Sequence, residues 1–376
     1  MLSPASIDMK FAIFLQNYFP YGGLQRDAVR LAEAAVDAGD EPTIVVSSWD
    51  GPKPSTFAIQ ELKCGGFSNH TKASRYAAAC KDIIESNAYD TSISFSRVAG
   101  VPFYFCGDGS FRESFLAHKS RLAKLLPRYR FFLNNEANIF APHSGTYTFF
   151  LSQQEVASYR NHYPIAEQSY SILPPWLAPP LTIAQSRGEI RRAIFDQLGL
   201  TSDSRLLLFV GSNYALKRLD VLIRALQKMP PDIHLAVCGR DDPLPPRKLA
   251  HDLGIANRVH LMGAQDNIPE WMTAADLLVH PSQRETAGMV LIEAMSYGLP
   301  VTCTTSCGYA PYVQEAGGTL LTPGCSPDEI NTTIDTMLTN LAELRQKAFD
   351  WASDPGHFQT AERILQSMRD SLKQDS

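Results

Sequence analysis

Two glutamates eight residues apart, Glu285 and Glu293, are the clearest candidates for chemistry in this chain. Glu293 lies within the nearly all-apolar stretch Val290–Met295, where a carboxylate is costly to bury unless it is hydrogen-bonded. A ligand with vicinal hydroxyls, such as a ribose, would satisfy this carboxylate, and the N–H groups around Ala287 and Gly288 could hold a diphosphate. A helix-capping Glu285 with a salt-bridged Glu293 is the alternative, but it does not account for the spacing, the glycine and the burial together.

Two glycine-containing turns follow apolar runs elsewhere in the chain. Gly22-Gly23 comes shortly after Phe11–Leu15, and glycine lets a phosphate or sugar approach the backbone closely. Taken alone, a Gly-Gly pair is better explained as a plain tight turn. The second turn, Val210–Ser212, precedes Lys217, whose charge would oppose the N-terminus of a helix unless an anion is bound. The sequence therefore favours an anion contact at Lys217 over a merely solvated lysine.

The composition is that of a globular protein and excludes several classes. The 376 residues are enough for two domains, with 44% hydrophobic and 19% charged residues. A net charge of -5 argues against a general nucleic-acid binder. Seven cysteines without a C-x-x-C pair fit a reducing compartment. We see no secretory signal and no run near the ~20 apolar residues of a membrane-spanning helix, so a cytoplasmic protein is expected.

These candidate residues must be positioned by strand-to-helix turns, because short apolar runs alternate with helical patterns along the chain. This alternation predicts an α/β fold with helices covering parallel sheets. The proline-rich stretch Leu173–Pro180 is expected to link two doubly wound domains, with ligands bound at the carboxyl ends of their strands. The expected strands are Phe11–Leu15, Thr43–Ser47, Thr91–Phe95, Pro102–Phe105, Thr146–Leu151, Leu206–Val210, Leu235–Cys238, Val259–Leu261, Leu277–His280 and Val301–Cys303.

The motifs taken together resemble those of the family 4 retaining glycosyltransferases. The likeness consists first of Glu-x7-Glu after a strand ending in His-Pro, with Gly-Leu-Pro-Val after the helix. Further segments, spread over nearly the whole chain, are similar to the lipopolysaccharide core glucosyltransferases of that family. These segments are Asn17–Asp27, Ser48–Gly51, Tyr104–Asp108, Ile172–Pro175 and Cys307–Ala310.

This resemblance implies the GT-B architecture, in which two Rossmann-like domains face each other across a cleft. An acceptor-binding domain is expected over residues 1–174 and a nucleotide-sugar-binding domain over 175–355, with a C-terminal helix in 356–376 returning to the first domain. The implied reaction moves a hexose, glucose from UDP-glucose, to a heptose of the lipopolysaccharide inner core with retention. The alternative is another UDP-sugar, N-acetylglucosamine or galactose, on a different glycolipid or polysaccharide.

The family pattern also assigns roles by position. Glu293 would hold the ribose hydroxyls, Glu285 would contact hydroxyls of the donor sugar, and Lys217 would neutralise the leaving diphosphate. An arginine that usually precedes this lysine is replaced here by Ser212-Asn213, so Arg218 or the serine would substitute for it. The full donor-binding set implied is Gly22, Gly23, Ser212, Lys217, Arg218, Glu285, Ala287, Gly288, Met289 and Glu293.

Neither a metal nor a cofactor is expected, because the chain contains no Asp-x-Asp motif to hold a diphosphate through a cation. Asp108, between two glycines, is expected on the acceptor side and completes the catalytic set with Glu285 and Lys217. It could orient or deprotonate the acceptor hydroxyl, and an Asx turn is an equally good alternative. Same-face attack assisted by the departing phosphate would need no enzyme nucleophile.

A basic, aromatic segment, residues 112–133, reverses the charge of the chain locally, with six basic residues against one acidic. Pro127 predicts two short helices with a bend. Leucines and aromatics among the basic residues suit an interfacial helix on anionic lipid, and a solvated basic face is an equal alternative from composition. The resemblance favours the membrane, because the acceptor would be lipid-anchored, and so implies peripheral association with the inner membrane. The expected membrane-contacting residues are Lys119, Arg121, Lys124 and Arg128.

Overall fold

The structure, a computed structural model, describes residues 9–20, 22–177 and 185–374, except for the side chains of His118 and Arg121. By their contacts these residues form two units. The first comprises the chain up to Trp176 and from Gln359 onward, and the second runs over Leu177–Phe358. The division falls within the proline-rich stretch expected to be a linker, of which residues 178–180 lie outside the described ranges.

Parallel sheets form the centre of both units, as expected for two Rossmann-like domains. The strands are β1 (Lys10–Phe14), β2 (Asn17–Tyr18), β3 (Glu41–Val46), β4 (Ser48–Trp49), β5 (Ala58–Glu61), β6 (Thr91–Ser94), β7 (Phe103–Cys106), β8 (Tyr147–Phe150), β9 (Tyr170–Ile172), β10 (Arg205–Val210), β11 (Ile233–Cys238), β12 (Val259–Gly263), β13 (Leu277–His280), β14 (Val301–Thr304) and β15 (Thr319–Leu321).

Helices separate most of these strands. They are α1 (Gly23–Asp37), α2 (Asn69–Glu85), α3 (Phe111–His118), α4 (Pro127–Ile139), α5 (Gln153–Arg160), α6 (Arg187–Leu198), α7 (Leu219–Lys228), α8 (Leu244–Asp252), α9 (Ile268–Ala274), α10 (Met289–Ser296), α11 (Ala310–Glu315), α12 (Pro327–Thr339), α13 (Leu341–Ser353) and α14 (Thr360–Gln374). Among the described residues, no helix combines the length and apolar character needed to cross a bilayer.

In the first unit, the described strands form a seven-stranded parallel sheet in the order β5-β3-β1-β6-β7-β8-β9, and β2 and β4 pair beside it. A parallel sheet is covered on both faces, which explains why its central strands are apolar throughout. In β1, for example, every residue after Lys10 is fully buried. The last helix, α14, packs on α1, and Arg369 contacts the buried Asp40 at 2.6 Å.

In the second unit, the described strands form a six-stranded parallel sheet in the order β12-β11-β10-β13-β14-β15. Because β10 and β13 are parallel neighbours, the loops that follow them begin at the same edge of the sheet. The loop after β10 leads to α7, and the loop after β13 leads to α10. These two loops carry Lys217 and Glu285.

Candidate active site

Lys217 and Glu285 form an ion pair in the second unit. The two residues belong to separate sequence motifs, 68 positions apart. The parallel neighbours β10 and β13 bring them together, because each residue lies in the loop after one of these strands. Both side chains are largely enclosed, with 15% of Lys217 and 25% of Glu285 exposed. An enclosed pair of opposite charges keeps the carboxylate ionised and the ammonium fixed in place.

His280, the last residue of β13, completes this cluster. Its Nε2 lies 3.5 Å from Glu285 Oε2, and neither ring nitrogen makes a hydrogen bond within the described chain. The ring is fully buried, and burial lowers the pKa of His280, so the imidazole is neutral near pH 7. Burial would raise the pKa of Glu285, but contact with His280 and the Lys217 ammonium outweighs it and lowers that pKa to about 2.

The segment around Cys307 holds Glu285 in place through the backbone. The Glu285 N–H donates to the Ser306 carbonyl at 3.2 Å, and the Gly308 N–H donates to the Glu285 carbonyl at 3.0 Å. The Tyr309 N–H donates to the Ala287 carbonyl at 2.8 Å. The Cys-Gly-Tyr-Ala motif is therefore a support for the loop that carries Glu285.

Gly288 ends this loop in a conformation that favours glycine. Its φ of 95° is left-handed, and it is the N-cap of α10, which begins at Met289. A Cβ at this position would lie 2.9 Å from the Leu291 side chain and 3.4 Å from Cγ of Glu285. The helix begins only at Met289, because residues 285–287 pair with the Cys307 segment instead.

Glu293 is half-buried, and the expectation that α10 encloses it is wrong. Its neighbours Leu291, Ile292, Ala294 and Met295 are all buried, so Glu293 occupies the less covered side of the helix. Its carboxylate has no hydrogen bond or ion pair to another described residue. A half-buried carboxylate is less costly than a buried one, so the energetic argument for a ligand is weaker here than the sequence suggests.

In the loop after β10, the backbone at Gly211 lies against the side chain of Lys217. Gly211 has a φ of 144°, and a Cβ there would lie 2.7 Å from Cε of Lys217, so the glycine leaves room for this side chain. The Ser212 hydroxyl accepts a hydrogen bond from the Arg240 N–H at 3.3 Å. Arg218 does not join the Lys217–Glu285 pair, because its guanidinium contacts Sγ of Cys325 at 3.9 Å.

Gly22 and Gly23 begin α1 in the first unit, and neither has the left-handed backbone that would require glycine. Gly22 is the N-cap, with φ −84° and ψ 135°. At Gly23 an added Cβ would meet nothing within 4 Å, whereas at Gly22 it would meet the side chains of Gln25 and Phe19. Local packing explains Gly22 in part and leaves Gly23 without a structural reason.

Asp108 follows β7 and is 61% exposed. Its carboxylate lies 3.6 Å from the guanidinium of Arg97, and its carbonyl accepts a hydrogen bond from the Tyr159 hydroxyl at 2.9 Å. The carboxylate accepts no backbone N–H from any described residue, so the Asx-turn interpretation is wrong. Asp108 instead lines a cavity of about 210 Å³ with Asn17, Arg97, Phe131 and Phe132 among the other lining residues.

The basic segment, residues 112–133, folds as α3, a 3-10 turn over Arg121–Leu125, and α4, which begins at Pro127 as the sequence predicts. Lys119, Lys124 and Arg128 are exposed, and the side chain of Arg121 lies outside the described set. Four leucines are also exposed, which the amphipathic alternative with a packed apolar face does not explain. They are Leu116 (47%), Leu122 (77%), Leu125 (78%) and Leu126 (54%).

Comparisons with known proteins agree with this architecture. Residues 190–350 match the family model of the glycosyl transferases group 1. The chain is 32% identical over 355 residues to the lipopolysaccharide glucosyltransferase WaaG of Escherichia coli K12, an alignment that covers 93% of this chain and 94% of WaaG. The chain belongs to the group 1 glycosyl transferases. It is homologous to WaaG along most of its length and is a glycosyltransferase with the GT-B fold.

Solved structures give the same assignment for this glycosyltransferase. The crystal structure of WaaG, a glycosyltransferase involved in lipopolysaccharide biosynthesis, superposes with a TM-score of 0.82 at 30% identity, covering 95% of this chain and 99% of WaaG. Anabaena HepE, solved in complex with UDP and glucose, superposes with a TM-score of 0.73 at 19% identity, covering 97% and 100%. At that identity, the likeness to HepE concerns the fold alone.

Two residues of this glycosyltransferase that contact the candidate site residues were not predicted from the sequence. His280 ends a fully apolar strand, and a polar residue at that position was the available signal. Arg97 contacts Asp108 from the loop after β6, and nothing in its surrounding sequence marks it. No cluster of three or more potential metal ligands occurs within the described ranges.

Proposed function

We propose that this glycosyltransferase moves glucose from UDP-glucose, with retention, to a heptose of the lipopolysaccharide inner core. The observation that carries the proposal is the 32% identity to a lipopolysaccharide glucosyltransferase over 93% of the chain. An alignment this complete includes both units, and therefore both the donor side and the acceptor side of a GT-B enzyme.

The donor would bind the second unit. The Lys217 ammonium, which is paired with Glu285, would neutralise the diphosphate as it leaves. Glu285, ionised and oriented by its neighbours, would accept hydrogen bonds from hydroxyls of the donor sugar. The loop over Ala287, Gly288 and Met289 would approach the phosphates with its backbone, and the half-buried carboxylate of Glu293 would accept hydrogen bonds from the ribose hydroxyls. Ser212 would complete the contacts that the second unit makes to the donor, and the expected donor contacts of Gly22 and Gly23 stay a prediction.

In the proposed reaction the bond between the sugar C1 and the phosphate oxygen breaks, and the acceptor oxygen forms a bond to C1 on the same face. The acceptor proton passes to the departing phosphate oxygen, so the products are the glucosylated acceptor and UDP. Asp108 would orient the acceptor hydroxyl. The leaving-group charge is met by Lys217 and by backbone N–H groups, so neither a metal nor another cofactor is part of the proposal.

The acceptor is proposed to be lipid-anchored and the enzyme to work at the cytoplasmic face of the inner membrane as a peripheral protein. Support comes from the exposed leucines beside Lys119, Lys124 and Arg128. Basic residues near an anionic surface contribute roughly 1 kcal/mol each, and exposed leucines add apolar contact with the acyl chains. This combination gives reversible docking rather than permanent insertion.

A thermal-shift panel tests the donor. UDP and UDP-glucose at about a hundred times the dissociation constant should stabilise the protein by ~2.7 kcal/mol, which raises Tm by a few degrees, and the shift should survive a chelator. GDP, ADP, UDP-galactose and UDP-N-acetylglucosamine are the control ligands of the panel. A larger shift with UDP-N-acetylglucosamine or UDP-galactose would show that the donor carries that sugar instead of glucose. No shift with any uridine nucleotide would contradict the proposal.

A further inference from the structure

Glu136 of α4 is a fully buried carboxylate that fixes the start of α3. It accepts hydrogen bonds from the backbone N–H groups of Phe111 at 2.7 Å and Arg112 at 3.0 Å. It also accepts from the hydroxyls of Ser110 at 3.0 Å and Tyr163 at 2.9 Å. A buried carboxylate with this many donors is well satisfied, so it holds the first turn of α3 firmly against α4.

Arg97 lies between this carboxylate and Asp108. Its guanidinium donates to the Gly109 carbonyl at 2.7 Å, and the same group lies 3.6 Å from the Asp108 carboxylate. Its Nε faces Oε2 of Glu136 at 3.4 Å and makes no hydrogen bond within the described chain. One side chain, only 18% exposed, therefore contacts two adjacent residues of the short loop between β7 and α3 as well as the Glu136 carboxylate of α4.

Helix α4 contributes both to the lining of the cavity and to the basic segment. Phe131 and Phe132 of α4 line the cavity that contains Asp108, and Glu136 lies one helical turn further along α4. Helix α3 begins two residues after Gly109 and carries the exposed Leu116. A displacement of α3 would therefore move the loop that carries Asp108, unless Arg97 and Glu136 restrain it.

We propose that Arg97 is a positioning residue that fixes the Asp108 loop relative to α3 and α4, so that docking of the basic segment and placement of the acceptor sugar are coupled. This inference rests on the proposed function for the nature of the acceptor, a sugar carried on a lipid. Arg97 acts through Asp108 and the loop, and a planar guanidinium is suited to it because it can contact several acceptors at once.

The competing interpretation is that Arg97 only neutralises the buried Glu136. It predicts that loss of Arg97 lowers stability without a specific effect on the acceptor. Three variants separate the two interpretations. Arg97→Met removes all contacts, Arg97→Lys keeps the charge but cannot reach Gly109, Asp108 and Glu136 together, and Tyr163→Phe removes one hydrogen bond to Glu136 without touching Arg97.

Hydrogen exchange tests directly whether Arg97 fixes the Asp108 loop, and it does not depend on enzyme activity. In Arg97→Met and Arg97→Lys, the backbone N–H groups of residues 109–112 should exchange at least tenfold faster than in the wild type, with less effect in Tyr163→Phe. Equal protection of these residues in the wild type and both Arg97 variants would overturn the proposal, whatever reaction the enzyme catalyses.

Kinetics with UDP-glucose and a lipid-linked heptose acceptor on anionic vesicles test the coupling. Both Arg97 variants should lose at least fivefold in kcat, while the KM for the donor and the UDP-induced rise in Tm stay within twofold of the wild type. Tyr163→Phe should match the wild type. Wild-type kinetics in Arg97→Lys, or equal losses in Arg97→Met and Tyr163→Phe, would overturn the inference. Absence of transfer by the wild type would instead overturn the proposed function. The hydrogen-exchange experiment would still test whether Arg97 fixes the Asp108 loop.

Discussion

The candidate residues of the two units differ in their exposure to solvent. In the second unit, Lys217, Glu285 and His280 are enclosed, and Glu285 contacts both of the others. In the first unit, the Asp108 carboxylate is 61% exposed and Leu122 and Leu125 are more than three-quarters exposed. An enclosed cluster suits a small ligand whose charge must be met in a fixed geometry, whereas an open surface suits a partner that is itself large. The proposed nucleotide sugar and lipid-anchored acceptor differ in this same way.

The largest expected effect concerns the enclosed cluster. Lys217→Ala should lower kcat by roughly 10²–10³-fold, because it removes the cation proposed to stabilise the leaving diphosphate. The measurement is the rate of UDP release with saturating donor and acceptor.

Lys228→Ala is the matched control for this prediction. Lys228 ends α7, the helix that begins two residues after Lys217, and it pairs with the exposed Asp328, so its loss should leave kcat within twofold. If Lys217→Ala kept more than a tenth of wild-type kcat, the ion pair would be structural rather than catalytic.

The next effect concerns the open surface. Leu122→Ser combined with Leu125→Ser should weaken binding to anionic vesicles by about 10–100-fold, because two leucines half-buried at the membrane interface together contribute roughly 1.5–3 kcal/mol, half of what their full burial would give. Charge reversal at Lys119 and Lys124 should also weaken binding, and this loss should shrink at high salt, whereas the leucine effect should not. Vesicle sedimentation at two salt concentrations measures both.

Leu244→Ser serves as the control for the leucine variants. Leu244 is 64% exposed on the second unit, outside the basic segment. Its substitution should leave vesicle binding unchanged. Equal losses in Leu244→Ser and in the double variant would show that exposed apolar surface in general, not the basic segment, drives the binding.

The smallest effect concerns pH, and the two units should respond with opposite sign. Burial raises the pKa of Glu155 in the first unit to about 8, so its contribution to stability is lost as pH rises from 4.5 to 8. Burial, and then the neighbouring His234, lower the pKa of His260 in the second unit to about 4, so its contribution is lost as pH falls from 6.5 to 4. Each contribution is on the order of a few kcal/mol, because one pKa unit corresponds to about 1.4 kcal/mol, and solvent screening reduces the value for the partly exposed His260.

Glu155→Gln should therefore raise Tm by a few degrees more at pH 8 than at pH 5, and His260→Gln should reduce the fall of Tm between pH 6.5 and pH 4. Calorimetry over this pH range measures both. A Tm whose pH dependence is the same in both variants and the wild type would show that neither buried group titrates as described.

The sequence predicts the central strands of both sheets well, because buried parallel strands are short apolar runs bounded by turn residues. The edge strand β5, with the sequence Ala-Ile-Gln-Glu, has no such run and was not predicted. Helices α5 and α6 were also missed, although Ser152 with Glu155 and Ser186 with Glu189 have the spacing of a helix N-cap. Their polar composition obscured a signal that was present.

The site was predictable residue by residue but not as an arrangement. Lys217 and Glu285 each stand out from their own motifs, whereas their contact depends on β10 and β13 being neighbours, which strand order alone decides. Glu293 was expected to be enclosed because its neighbours in sequence are apolar, yet its side chain lies on the less buried side of α10 and is partly exposed. Arg97 could not be found at all, because its partners lie 11 to 39 positions away.

The central claim, retaining transfer of glucose from UDP-glucose, is tested most directly by the stereochemistry of the product. The purified enzyme would be incubated with UDP-glucose and a lipid-linked heptose acceptor in the presence of a chelator, and the new linkage examined by NMR. Because the glucose of UDP-glucose is α-linked, the account predicts an α-glucoside on the heptose. A β-glucoside, or no transfer until a divalent cation is restored, would contradict it.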